Sequence, residues 1–320
     1  MSCIILFCSM DWRQQDDPFL DRRMLPFLTS IVEQLPGIRL GAVDWRMMTP
    51  GPMFRIFDVE LRVMRDMKAA DVRFIHVYRL GGRAGSDQYT LTGKWADVAQ
   101  VISNLEAEGV RLVNSGRAIR KGLSKRYLLD LAAKGLPIVP SEFVPADTPI
   151  DLIRAMTAER LSIVKPANGE CGRMVHMAHT ITADQLGRMA TQSPELVIQP
   201  CMSEILAGEK SLVFLGRRFS HAVRKIPRLP DLRTNAATIV PYWPSTAEQE
   251  LAHATAAAFD PALDCFRIDL VGDLPGLHIM EFEVVDAGHY CPLGPAYAAR
   301  LADFYRGLLG LETGLRASVE

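Results

Sequence analysis

No apolar run in the 320-residue chain approaches the roughly 20 residues that a membrane span requires, and 36 basic side chains stand against 37 acidic ones. The first absence argues against an integral membrane protein. The second leaves no general charge to attract nucleic acid or an anionic bilayer, so any function must come from a local site. The N-terminal MSCIILFCSMDWRQQDD has no basic lead and meets acids early, which makes it a poor signal peptide and a better first strand. Cysteines are few and scattered: Cys3, Cys8, Cys171, Cys201, Cys265 and Cys291 form no CxxC pair and no zinc-type grouping with the seven histidines. A cytoplasmic, reducing setting is therefore expected. Also lacking are a Walker-type phosphate loop, a GxGxxG stretch after a strand, and an evident Ser-His-Asp or Cys-His set. Without repeats or low-complexity linkers, the subdomains are expected to pack against one another.

What is present is a 48% hydrophobic chain, long enough for two or three packed subdomains. Strand-like runs at 3–7, 38–43 and 72–78 alternate with helical patterns at 18–34 and 95–108, which predicts an N-terminal α/β domain with a largely parallel sheet. The stretch 114–117 reads as a loop leading into a helix over 124–134, stopped by Gly135 and Pro137. Beyond it, short strands at 161–165, 174–178, 197–199, 211–215 and 218–225 mix with helices. Capping-box spacing at Thr182/Gln185 and Ser245/Glu248 marks two helix starts, and a last helix covers 297–309.

The segment FRIDLVGDLPGLHIMEFEVVD (266–286) reads as two apolar strands joined by a Pro-Gly turn, interrupted by Asp269, Glu281 and Glu283. Residues two apart on a strand share a face, so Glu281 and Glu283 point the same way, and Arg267 shares a face with Asp269. Like charges side by side are unfavourable unless a cation lies between them or one takes up a proton. A divalent cation is one answer.

Other segments supply cations and loops. In IVKPANGECGRMV (163–175), Lys165 leaves an apolar strand and is followed by Gly169, Glu170, Cys171 and Gly172. Glycines let backbone N–H groups approach phosphate oxygens, and a lysine adds a point charge; a plain surface turn with a snorkelling lysine fits equally well. Lys125 opens the predicted helix at 124, where solvent exposure is the simpler account. LVIQPCMSEILAGEKS (196–211) is a strand, a loop and a Gly-Glu turn that could hold a flat base and ribose hydroxyls, or serve only as a connector. Arg224, Lys225, Arg228 and Arg233 cluster in the next basic run, which also contains Asn235; guanidinium forks grip carboxylates and phosphates.

The order of these pieces, from Lys125 through the Lys-Pro-Gly loop, Gln-Pro, Gly-Glu, a basic strand, Arg-x-Asn and Arg-x-Asp to Glu-x-Glu, resembles the ATP-grasp superfamily. KRYLLDLAAKGLPIVP (125–140) and GEKSLVFLGRRFSHAVRKIP (208–227) most resemble the glutathione-synthetase-like branch that includes the cycloserine-forming (O-ureido-serine cyclo-ligase) type. The resemblance covers residues 114–320. It implies an α/β (α+β) ATP-grasp fold divided into an N-terminal α/β (pre-ATP-grasp) substrate domain at 1–115, a linker helix and small central lid at 116–200, and a C-terminal catalytic subdomain at 201–320.

By the same resemblance, Lys125 and Lys165 would contact ATP, and the loop Gly169, Glu170, Cys171 and Gly172 would close over its phosphates. Gln199, Pro200, Cys201 and Met202 would form the adenine hinge, with Glu209 or Glu204 accepting the ribose hydroxyls. Asp269, Glu281 and Glu283 would hold two Mg2+ ions, with Mn2+ able to substitute. Arg267, Arg233, Asn235 and Arg224 would serve phosphoryl transfer. The implied activity is ATP-dependent carboxylate–amine ligation through an acyl phosphate, releasing ADP and phosphate, on an amino-acid-like substrate of antibiotic or other specialised metabolism. A phosphotransferase, an ammonia- or hydroxylamine-using ligase, and a non-catalytic nucleotide-binding protein are the alternatives. Expected partners are a small carboxylic acid and an amine, with homodimerisation left open and neither nucleic acid nor membrane involved. Arg79, Arg83, Asp11, Arg13 and His289, near predicted strand ends, are substrate-contact candidates. Two features depart from the branch: VVDAGHYC (284–291) replaces a Glu-Pro type of ending, and VYRLGGR (77–83) stands where a Trp-Asp-Tyr segment is expected. Ring closure to cycloserine does not follow from the resemblance.

Overall fold

The computed structural model describes residues 2–8, 25–43, 53–79, 95–169, 174–227, 238–285, 290 and 296–311. The first sheet is formed by β1 (Ser2–Cys8), β2 (Ile38–Val43), β3 (Met53–Asp58), β4 (Val63–Lys68), β5 (Val72–Arg79) and β6 (Leu112–Val113), in the order β4-β3-β2-β1-β5-β6. Its β2-β1-β5-β6 portion is parallel, as the alternation of strands and helices predicts. The antiparallel β3–β4 hairpin was not expected, although Phe54 and Ile56 are buried in alternation with exposed Met53 and Arg55, the period of a half-buried strand. Helices α1 (Leu25–Glu33) and α2 (Trp95–Ala107) flank this sheet in sequence.

The expected loop at 114–117 is instead a helix start. Ser115 caps α3 (Gly116–Gly122), its hydroxyl accepting from the Ala118 N–H at 3.2 Å. The helix expected over 124–134 is correspondingly shorter: α4 (Tyr127–Ala133) begins after a turn that contains Lys125, and the chain leaves it at Gly135, where φ is +80°.

The second sheet is small and antiparallel: β7 (Glu142–Pro145), β8 (Ser162–Pro166), β9 (His176–Met177) and β10 (Glu195–Pro200), ordered β7-β10-β8-β9. Helices α5 (Ile150–Met156) and α6 (Ala183–Ala190) give it a separate core around Ile153, Val164, Leu186 and Leu196. The capping box at Thr182 and Gln185 is formed as its spacing predicts.

The third sheet comprises β11 (Glu209–Leu215), β12 (Arg218–Ile226), β13 (Thr238–Tyr242), β14 (Cys265–Val271) and β15 (His278–Glu283), all antiparallel, ordered β13-β12-β11-β14-β15. Its strands alternate between two faces, apart from bulges near Phe214 and after Asp269. Phe214, Phe266, Ile268, Leu270 and Phe282 belong to the main core shared with α4 and α7 (Thr246–Phe259), while Glu209, Ser211, Lys225, Arg267 and Asp269 gather on the opposite face. The second capping box, Ser245 with Glu248, opens α7.

Besides the main core, which residues of both sheets enter, helix α8 (Tyr297–Leu309) and Asn114 join the first sheet to the third. Helix α8 lays Tyr297, Leu301, Ala302 and Tyr305 into a core with Leu28 and Ile31 of α1, Leu40 and Phe74 below, and Val213 and Leu215 of β11. Buried Asn114 makes four bonds across the junction: its amide donates to the carbonyls of Cys265 (2.7 Å) and Val284 (3.1 Å), and its oxygen accepts from the N–H groups of Asp264 (2.9 Å) and Cys265 (2.7 Å). Replacing it with an apolar residue would strand several buried backbone groups. Among the described residues, no helix is long and apolar enough to cross a membrane.

His76 reports on this junction. It is 2% exposed, its Nδ1 lies 2.8 Å from the Tyr305 hydroxyl, and burial lowers its pKa to about 3. The unfolded chain therefore takes up a proton near the ordinary value of about 6.5 while the folded chain resists it. The stability this neutral imidazole preserves is fully present above about pH 6.5 and is lost as pH falls towards 3, at about 1.4 kcal/mol per pH unit. Urea denaturation between pH 7 and 5 should show that dependence in the unaltered chain and a shallower one in His76→Asn; equal slopes would show that His76 contributes none of it.

Candidate functional site

The β14–β15 register builds the site. Asp269 lies directly opposite Glu281, and Arg267 directly opposite Glu283, with a bulge after Asp269. Oxygen atoms of Asp269, Glu281 and Glu283 all lie within 4.8 Å of one another, a spacing and donor chemistry that suit a hard divalent cation. The question raised by three acids in an apolar hairpin is thus answered by geometry: the strands are apolar on the core side and acidic on the other.

Cations arrive from three directions. Arg267 forks onto Asp269, with Nε to Oδ1 at 2.9 Å and Nη2 to Oδ2 at 2.8 Å, and reaches Glu283 at 3.3 Å. Lys225 of β12 stands 3.6 Å from Asp269 and pairs with Glu209. From β8 of the small sheet, Lys165 donates to Glu281 at 2.9 Å, and Lys125, in the turn before α4, lies 3.6 Å from the same carboxylate while donating to the Gly169 carbonyl at 2.8 Å. Ser211 completes the shell with a 2.5 Å bond to Asp269. Lys125 is 9% exposed, so the solvated-face account fails for it, and Lys165 at 5% is no snorkelling surface residue.

The acids separate electrostatically. Burial disfavours every one of these charges, but Arg267 and Lys225 outweigh it at Asp269 and hold its pKa down at about 2. At Glu281 the two lysines, Lys125 and Lys165, likewise prevail over burial and hold it well below the ordinary carboxylate range. At Glu283 burial prevails despite Arg267, reinforced by neighbouring Glu281 and Asp269, and the group is pushed up to about 8. Glu209 is raised to about 7 by burial, with Lys225 opposing. Lys225 itself stays protonated because Asp269 and Glu209 overcome its burial.

The turn that carries Lys125 is also tied to the small sheet. Its N–H donates to the Ala167 carbonyl at 2.9 Å, Asn168 donates to the Leu123 carbonyl at 2.7 Å, and Arg126 forks onto Glu195 with two 2.6 Å bonds. Lys125 and Lys165 therefore face Glu281 from a shared, braced base.

Other expected residues take varied positions. Gln199 and Pro200 end β10, where Gln199 is buried and donates to Ser141 at 2.8 Å. Cys201 and Met202 follow, half-buried, and burial raises the Cys201 thiol pKa. Met202 packs with Met280 beside Val139, Ile205 and Val271, an apolar wall next to the hinge segment. Glu204 is exposed and bonded to Ser203, whereas Glu209 is buried against Lys225. Arg224 is not brought to the acids. Strand alternation turns it to the α7 side, where its guanidinium lies 4.5 Å from the Tyr242 ring centroid, and its neighbour Lys225 faces the carboxylates instead. Arg79 ends β5, and only its backbone is described. Glu170, Cys171, Gly172, Arg233, Asn235, Asp11, Arg13, Arg83 and His289 lie outside the described residues.

Neither Ser211 nor Tyr290 was expected at the site, and Lys225 only as one member of the basic run. Tyr290 sets its ring 5.7 Å from the Arg267 guanidinium and 5.9 Å from Lys225. Alternation from Glu209 through Ser211 would have found the serine, but choosing between Arg224 and Lys225 requires the pairing of Glu209 with Lys225.

This arrangement, an antiparallel sheet bearing paired acids and a small separate sheet that contributes a lysine to them, is found on a chain whose fold is that of ATP-grasp ligases of known structure. Over 97% of its length it superposes on 100% of the crystal structure of D-cycloserine synthetase DcsG, with a TM-score of 0.72 at 20% identity. In sequence it is related to the cycloserine biosynthesis protein DcsG of Streptomyces lavendulae, 28% identical over 197 residues, covering 55% of this chain and 66% of that protein. The sequence match thus spans just under two thirds of the relative's length. The D-alanine–D-alanine ligase of Bacillus anthracis complexed with ATP matches with a TM-score of 0.62 at 12% identity, over 97% of this chain and 98% of that one. The ATP-grasp ligase PsnB, complexed with a phosphomimetic precursor variant, Mg and ADP, matches with a TM-score of 0.57 at 15% identity, over 97% and 99%. No protein-family model matches the chain.

A metal ion seated among the three acids must displace the proton that Glu283 retains near neutrality. Mn2+ affinity should therefore tighten as pH rises towards about 8 and level off above it, by up to about tenfold per pH unit below. Mn2+ titration monitored by electron paramagnetic resonance at pH 6.5, 7.5 and 8.5 measures this, and a pH-independent affinity would contradict the assignment of Glu283.

Proposed function

We propose that the chain is an ATP-dependent carboxylate–amine ligase that works through an acyl phosphate. The observation that carries this reading is the cluster of Asp269, Glu281 and Glu283 within 4.8 Å, met by Lys125, Lys165 and Arg267 on an ATP-grasp fold. The donors are all oxygen, as Mg2+ prefers, and the set fits the metal ions of such a site. Asp269, Glu281 and Glu283 would hold them, and the ions would supply Lewis-acid neutralisation of phosphate charge.

In this reading, Lys125 and Lys165 give up Glu281 as partner and turn to nucleotide phosphates. Gln199, Pro200, Cys201 and Met202 line the base against the apolar wall, and Glu209 or Glu204 accepts the ribose hydroxyls. The loop Gly169, Glu170, Cys171 and Gly172 covers the phosphates. The acid's carboxylate attacks the γ-phosphorus and ADP leaves. The amine then attacks the acyl carbon, phosphate leaves, and the amine's surplus proton is lost to solvent or a nearby carboxylate. Arg267, with Lys225 behind it, faces the charge that develops on the transferring oxygens, and Arg233 and Asn235 are assigned to the same task. The Tyr290 ring lies beside both Arg267 and Lys225. The similarity to a cycloserine biosynthesis protein supports a small amino-acid-like acid and a role in specialised metabolism; Arg79, Arg83, Asp11, Arg13 and His289 remain the substrate-contact candidates.

Incubation with ATP, Mg2+ and a panel of amino-acid-like acids and amines tests the reading, with ADP release and product mass as readouts. Loss of one water between acid and amine is the expected outcome. A stable phosphorylated acid would make the chain a phosphotransferase, and nucleotide binding without turnover across the panel would favour a binding protein. Glu281→Gln should lower ADP release at least a hundredfold while keeping the fold, since it removes one anionic metal ligand. Full turnover in that variant would refute the site.

A further inference from the structure

β15 is an edge strand, and its outer side would leave backbone groups unpaired beside the acids. Residues 137–139 cover one part: the Ile279 N–H donates to the Pro137 carbonyl at 2.7 Å, and the Val139 N–H donates to the Ile279 carbonyl at 3.0 Å. The position between the two glutamates is closed differently. The Phe282 N–H donates at 2.9 Å to the hydroxyl of Tyr127, a side chain 4% exposed. No other side chain among the described residues bonds the backbone between Glu281 and Glu283. The contact is enclosed, because Phe282 is 1% exposed and both Tyr127 and Phe282 pack on Phe259, with ring centroids 5.5 Å and 5.1 Å away.

Tyr127 also sits two residues after Lys125, in the segment that delivers that lysine to Glu281. One short stretch of chain therefore holds the cation that neutralises Glu281 and the hydroxyl that fixes the peptide between Glu281 and Glu283. Without the hydroxyl, the Phe282 N–H would be buried and unpaired, and the strand could recover a partner only by shifting. Such a shift would move both carboxylates, and outer groups that orient metal ligands govern metal affinity.

We propose that Tyr127 is a positioning residue for the metal centre: its hydroxyl holds the Phe282 peptide so that Glu281 and Glu283 converge on one ion. This rests on the ligase reading, in which those acids bind the metal. Tyr127→Phe keeps the ring and its packing on Phe259 and removes only the acceptor. Mn2+ binding in the presence of ADP, followed by electron paramagnetic resonance, should weaken about tenfold in this variant, the range that loss of an outer orienting group produces. Ile31→Val, on the core face of α1, is the control for lost stability and should bind Mn2+ like the unaltered chain. Equal Mn2+ affinity in Tyr127→Phe and the unaltered chain would overturn the positioning role alone. No Mn2+ binding by the unaltered chain would overturn the ligase reading and this role together. Should Tyr127→Phe not fold, hydrogen exchange in the unaltered chain still decides: a protected Phe282 amide, slowed further by Mg2+ with ADP, is expected, and exchange at the rate of exposed edge amides would refute the proposal.

Discussion

The pairing register of β14 with β15 is the constraint on which the rest of the site depends. Setting Asp269 against Glu281 and Arg267 against Glu283 places three carboxylates and one guanidinium on a patch a few ångströms wide. A slip of one residue would send these groups into the aromatic core around Phe266 and Phe282 and bring the phenylalanines to the surface. The same core that makes the hairpin stable therefore forbids the wrong register. Outer support from residues 137–139 and Tyr127 turns an exposed edge into a fixed one.

Charge balance is the second consequence. Among the described residues, Glu209, Asp269, Glu281 and Glu283 face Lys125, Lys165, Lys225 and Arg267. Isolated acids at this burial would neutralise by protonation, and Glu283, the one least compensated, is pushed that way. Cations from the small sheet and the α4 turn occupy the place that metal and phosphate would share in the proposed reaction. The arrangement leaves none of these charges unpaired, and in the proposed reaction Lys125 and Lys165 would exchange Glu281 for nucleotide phosphates.

Much of the fold was legible in the sequence because its signals are local. Strands β2 and β12, both capping boxes and α8 follow from period, caps and stops. The β3–β4 hairpin escaped because β4, the edge strand, carries Arg65, Asp66 and Lys68 and buries only Met67, so it shows no clear apolar alternation. The helix start at Ser115 was hidden by Gly116, a residue that reads as loop until the cap bond is seen. For the site, acid spacing and the order of motifs gave the candidates. The choice of Lys225 over Arg224 did not follow, since both are basic, adjacent and able to hold phosphate, and only cross-strand pairing with Glu209 distinguishes their faces.

The sequence by itself determined most of the elements, the three acids with Arg267, and the resemblance of their order to ATP-grasp proteins, because these reside in residue type and spacing along the chain. Tertiary structure decided which cations meet which acids, that Lys125 lies in a braced turn rather than on a solvated helix, and that Tyr127 closes the strand edge between the two glutamates. The longest of those contacts join residues 116 to 156 positions apart, as with Lys165 and Glu281, Lys125 and Glu281, or Tyr127 and Phe282. No local pattern encodes them, because they exist only once the two sheets and the turn between them have packed.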